Sequence, residues 1–254
     1  MNIFSNLENI TPSRSLNLAY VILDCIFLII FLGLLFYKKR YQTLIWSIFG
    51  GIIYFLVDYG LFHLLGRTRV VTFNGETSET ITALVLLWMS LSYGITNFAF
   101  IWLCLRKDKY LKEWLLLIVG WWLICPTLSQ IGGDSYPITT SRTTNSYHFI
   151  MGFILIIGYF GLIIYNILTK KKMINLLFLN LIGISVQFAW EFSLLINGIR
   201  PLNEASIMTI LINSLIETNL GMPYIYLIFI FINKKYNEDL TLIKKKELEL
   251  NTNS

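Results

Sequence analysis

Apolar runs of about 20 residues recur along this chain, and that is the length an α-helix needs to cross roughly 30 Å of hydrocarbon. A buried helix of a soluble domain stops after about 10–14 such residues. Seven runs reach membrane length, at about 17–37, 43–65, 81–105, 113–130, 148–169, 174–196 and 207–233. Hydrocarbon offers the backbone no partners, so each run must pair its N–H and C=O groups internally as a helix. The predicted fold is therefore all-α, a polytopic seven-transmembrane helix bundle forming a single domain. Composition agrees, with 56% hydrophobic residues, 14% charged residues and a mean hydropathy of +0.64, outside the usual range of soluble domains. The connections "GRTRVVTFNGETSET" and "IGGDSYPITTSRTTNSY" are rich in turn formers and read as loops too short to fold alone.

Orientation follows from charge. Fifteen of the 20 Lys and Arg residues lie in alternate connections: 38–40, 106–112, 170–172 and the tail from Lys234. The positive-inside rule puts those in the cytoplasm and the N-terminus outside, as in a multi-pass protein of the cell membrane. Loops near Asn74 and Thr143 then face outward, and Lys171 faces the cytoplasm. These clusters, beside anionic lipid, also account for the net charge of +5, so nucleic acid is not an expected partner. The first span has no basic segment before it and "KKR" after it, so it is expected to remain as an anchor. The tail 234–254 reads as a short cytoplasmic helix at the membrane surface. Cys25, Cys104 and Cys125 sit within spans at no paired spacing and read as small buried apolar residues.

An internal echo hints at a repeat. "YFLVDYGLFHLLGR" (54–67) set above "QFAWEFSLLINGIR" (187–200) aligns Asp58 with Glu191 and Arg67 with Arg200. The following spans share "SLSYG" (90–94) and "SLIETNLG" (214–221). Two three-helix halves joined by the fourth span, a 3+1+3 plan, would produce this pattern.

Charged side chains at bilayer depth cost about 2.5–3.5 kcal/mol on insertion scales, so they mark function or pairing. Asp24, Asp58, Glu191 and Glu217 qualify, and all fall in the outer halves of their spans. Helical spacing gathers Asn180, Gln187 and Glu191 on one face, Asn213, Glu217 and Tyr224 on another, and Tyr54 above Asp58. Span 3 adds Ser90, Tyr93 and Asn97, and the outer ends add His63, Arg67 and Arg200. Together these outline a cavity between spans 2, 3, 6 and 7, with Trp88, Trp121, Trp122, Phe188, Trp190 and Asn219 as further wall residues. Trp46 and Trp114 read instead as interfacial belt. Burial favours the neutral carboxyl unless Arg67 or Arg200 pairs with it, and a neutral carboxyl in an apolar pocket is a general acid. Without HxxxH or ExxH spacing, no metal site is expected from His63, Asp58 and Glu191, and no cofactor motif occurs.

At "AWEF" (189–192) and "IETNLGMPYIY" (216–226) the chain resembles the integral membrane terpene cyclases of meroterpenoid pathways. The resemblance implies seven compact spans and two acids that protonate an epoxide or alkene so that a polyprenyl chain cyclises. Asp58 and Glu217 match that family by span, and Glu191 matches by its Trp–Glu motif. The expected activity is thus acid-initiated cyclisation or isomerisation of a lipophilic isoprenoid drawn from membrane lipid, with Asp58, Glu191 and Glu217 catalytic. The rival is a small-solute carrier using the same acids for coupling or binding; a sensor or scaffold without chemistry is the third reading. The 3+1+3 pattern fits small carriers of the PQ-loop type, but no Pro-Gln pair occurs. Span 7 has no Lys for a retinal Schiff base, and neither GxSxG nor EExxxR is present to indicate an intramembrane protease.

Overall fold

The computed structural model describes residues 13–131, 136–142, 147–169 and 175–252. Among them are seven helices long and apolar enough to cross a membrane. They are α1 (Leu18–Tyr37), α2 (Tyr41–Phe55), α3 (Glu79–Arg106), α4 (Leu111–Gln130), α5 (Tyr147–Thr169), α6 (Leu176–Ile196) and α7 (Glu204–Thr252). A π-helical stretch, Leu56–Leu65, continues α2 without a break. Polar caps set several starts: the side chains of Asn17, Ser78 and Asn175 accept from the N–H groups of Tyr20, Ile81 and Leu177.

α3 is the core helix, with 72% of its most apolar stretch buried against 11% for α5. The exposed faces of the outer helices are apolar, with Ile29, Leu116 and Phe160 among them, as a lipid-facing surface requires. α2 meets α3 at glycines. A Cβ on Gly94 would stand 2.6 Å from the Gly51 Cα, and one on Gly50 would stand 2.2 Å from the Phe98 ring. Small residues let these backbones approach, and the approach sets Tyr54 edge-on to Tyr93, their ring centroids 4.7 Å apart.

Three features depart from expectation. The two connections read as loops and the segment before the first span contribute a sheet of β1 (Ser13–Asn17), β2 (Arg69–Phe73) and β3 (Pro137–Arg142), antiparallel and ordered β1-β3-β2. It covers the end of the bundle opposite the connections that hold Lys38 and Lys107, and the Ser15 N–H donates to Ile199 C=O (2.9 Å) between α6 and α7. The tail is no separate helix: α7 runs unbroken to Thr252. Cys25 is exposed, whereas Cys104 and Cys125 are buried. Thr143, Lys170 to Lys172 and the side chains of His148 and of the tail from Asn237 lie outside the described residues.

Candidate functional site

Strand alternation gives the sheet an inner face turned to the helices. In the β1–β3–β2 register Arg14 and Val71 flank Thr140, and Arg69 lies opposite Arg142. Residues opposite each other share a face, so three arginines and a threonine hang beneath the sheet. Like charges directly across a ladder destabilise it. Three carboxylates from the helices offset them here.

Arg69 Nη2 donates to both oxygens of Asp58, at 2.7 Å each, and the Tyr93 hydroxyl adds a third bond at 2.5 Å. Arg142 pairs with Glu217 while its guanidinium lies 4.7 Å over the Phe62 ring. Arg200 reaches Glu191 through Nε (2.5 Å) and Nη2 (2.9 Å), and Arg14 reaches it at 3.2 Å. Gln187 ties the groups together: its Nε2 donates to Glu191 (3.5 Å) and Glu217 (3.3 Å), and its oxygen accepts from Thr218 (2.6 Å). Charge-assisted bonds of this kind are about twice as strong as neutral ones. Burial opposes the charge of Arg142, but the Glu217 and Asp58 carboxylates hold its pKa above the ordinary value.

Below this cluster lies a cavity of about 340 Å³, within the size range of small-molecule sites. Its sheet end carries Arg14, Arg69, Thr140, Arg142, Asp58 and Glu217; its far end is walled by Trp46, Phe49, Phe98, Trp102 and Ile228. Glu217 and Ile228 are 11 residues apart on α7, so the cavity runs about 17 Å from polar to apolar end. Phe49 on α2 and Tyr224 and Ile228 on α7, each about two-fifths exposed (42%, 40% and 39%), border it at membrane depth.

Of the residues expected at the site, Asp58, Glu217, Tyr54, Tyr93, Gln187, Tyr224 and Arg200 do line the cavity. Glu191 stands behind it, its side chain 0% exposed between Arg14 and Arg200. Trp190 packs between Tyr93 and Trp122, with ring centroids at 6.1 and 5.5 Å, and Asn219 bonds Asn180 at 3.3 Å. Asn97 is buried beside Tyr54. His63 lies off the cavity, bonded to Glu79 (3.1 Å), and Arg67 is exposed in a left-handed turn. Trp88 and Trp121 serve Asp24 instead, donating at 3.1 and 2.9 Å, which gives that isolated acid a structural account. Phe188 is 43% exposed on the outer surface, stacked on Phe192.

Arg14, Arg69, Thr140 and Arg142 were not anticipated, because the strands carrying them were read as loops or, for Arg14, as an N-terminal tail. Alternation in "RVVTF" and "PITTSR" was the available signal. Trp46, read as belt, stacks on Trp102 (5.0 Å, 16°) in the cavity wall, and Trp114 is buried against Phe31. Among the described residues no group of three His, Cys, Asp or Glu side chains is placed to hold a metal ion. The chain matches no family model, no curated protein and no solved structure.

Proposed function

We propose that this chain is an intramembrane enzyme for a lipophilic isoprenoid, a terpene cyclase or isomerase that works by proton transfer. The observation that carries this reading is the one-ended polarity of the cavity. Ionisable groups crowd the sheet end, and the remaining wall is aromatic and aliphatic. A carrier needs polar access from both faces, whereas a lipid substrate needs a polar anchor and an apolar barrel.

Glu217 is the group assigned the proton. Its side chain is 19% exposed, against 3% for Asp58 and 0% for Glu191, and it lines the cavity. Glu217 first takes up a proton, leaving its pairing with Arg142, and passes it to an alkene or epoxide of the substrate, and ring closure moves the positive charge along the chain. A proton lost from carbon to a carboxylate then leaves an isomeric product. Trp46, Phe98 and Trp102 line the far end of the cavity, and aromatic rings stabilise a passing cation. Asp58, bonded by Arg69 and Tyr93, is the fixed counter-charge.

The test is product formation by purified protein in phosphatidylcholine nanodiscs supplied with polyprenyl alkenes and epoxides in D₂O. A product of unchanged composition is expected, with one deuterium on carbon where an alkene is protonated. Recovery of every substrate unaltered would refute the enzymatic reading.

The same proposal sets the sheet end outside the cell and the Lys-rich connections in the cytoplasm, supported by the 15 basic residues in alternate connections. A cysteine at Asn74 is then expected to react with an impermeant maleimide on intact cells and one at Lys107 not to; the reverse pattern would invert the topology. A 3+1+3 repeat gains support from the acids: Asp58 and Glu191 each pair with an arginine shortly downstream, 11 and 9 residues on.

A further inference from the structure

The charges at the sheet end do not balance. Among the described residues Arg14, Arg69, Arg142 and Arg200 face only Asp58, Glu191 and Glu217, which with all three carboxyls ionised leaves one surplus positive charge next to an apolar cavity. Phenols there, Tyr54 and Tyr93, add none at neutral pH. Donors are also left over. Among the described residues Arg69 Nε has no hydrogen-bond partner although the residue is 9% exposed, and Thr140 Oγ1 has none although its residue is 1% exposed. Both residues line the cavity, beside Arg14 and Arg142. A buried donor without an acceptor is costly, and an uncompensated buried cation costs more. Two such deficits at one spot are what an absent acceptor leaves behind.

We infer that the sheet end of the cavity binds an anionic head group that carries one negative charge there, a carboxylate or a singly protonated phosphate, at the end of a single lipophilic chain. The inference rests on the reading above for the chain and adds the head. One negative charge cancels the surplus, and its oxygens satisfy Arg69 Nε and Thr140 Oγ1. The chain then follows the apolar wall toward Trp46 and Ile228, about 17 Å away. An anionic head also brings the arginine cluster to neutrality, so a cation formed further along the chain no longer faces a net positive field.

Binding to protein in phosphatidylcholine nanodiscs tests this, with four probes: farnesyl phosphate, farnesoic acid, farnesol and inorganic phosphate. Both anionic farnesyl probes are expected to bind about 10-fold or more tightly than farnesol. Inorganic phosphate, lacking the chain, is expected to bind about 10-fold or more weakly than farnesyl phosphate. Thr140→Val, which keeps the shape and suits a strand, should shrink the advantage of the anions over farnesol by several-fold. Equal affinity for farnesol and the anionic probes would overturn the inference. Inorganic phosphate binding as tightly as farnesyl phosphate would also overturn it, since the site would then serve a free anion. Turnover of neutral isoprenoids without preference for anionic ones would sink this inference and leave the enzymatic reading standing; tight binding of anionic probes without product would do the opposite.

Discussion

Replacing Glu191 by glutamine is expected to destabilise the protein by about 3–5 kcal/mol, the cost of breaking a buried ion pair from one side. The carboxylate is fully buried and receives Arg200 twice and Arg14 once. An amide carries no charge and leaves two guanidinium groups, one of them 3% exposed, without compensation. If Glu191 were the proton donor the sequence resemblance suggests, glutamine would spare the fold and abolish turnover. Its geometry points the other way, to unfolding at lower denaturant. Removing all three charges together, as Arg14→Met, Glu191→Leu and Arg200→Met, should recover much of the loss, because replacing a whole buried ion network with apolar groups is often neutral. Unfolding of Glu191→Gln at the wild-type midpoint, followed by tryptophan fluorescence in nanodiscs, would remove Glu191 from the framework and return it to the list of acids available for catalysis.

Glu217→Gln is expected to lower turnover by about 100-fold or more while the protein stays folded. The substitution still accepts a hydrogen bond from Arg142, and the position is partly open to the cavity, so unfolding is not the expected cost. What glutamine cannot do is hold and release a proton. The loss should appear in kcat rather than KM, since a group used for proton transfer contributes at the transition state. Wild-type turnover in this variant, with Asp58→Asn equally active, would leave proton transfer without a donor and the carrier reading as the better account.

The spans were legible because a membrane helix writes its length directly into the sequence as unbroken apolar residues. Part of the site was legible as well. The four-residue step from Gln187 to Glu191 places both on one face, and Gln187 does bridge Glu191 and Glu217. Which arginine meets which acid was not readable. The echo aligned Arg67 with Arg200, yet Arg67 occupies a left-handed turn, φ 50°, exposed and outside the cavity lining. Two residues later the chain is extended, and Arg69 takes the inward position beside Asp58. Helical spacing carries no information on a strand's period of two, so a bundle-only reading loses every group that the sheet supplies. Trp46 was misplaced for a related reason: indoles near span ends favour the interface in general, and only the tertiary stack on Trp102 draws this one inward.

The sheet also has a consequence for the order in which the chain is completed. Its strands lie at 13–17, 69–73 and 137–142, so the roof cannot close until the ribosome has delivered more than half of the protein. Asp58 is already present for Arg69 by then, but Arg14 and Arg142 wait for Glu191 and Glu217, on the last two spans. Throughout that interval the nascent protein displays cations that later helices will claim. Arrival of α6 and α7 therefore does more than add two spans: it brings the carboxylates that pair with the roof, and the final step of synthesis becomes the one that ties the first strand down.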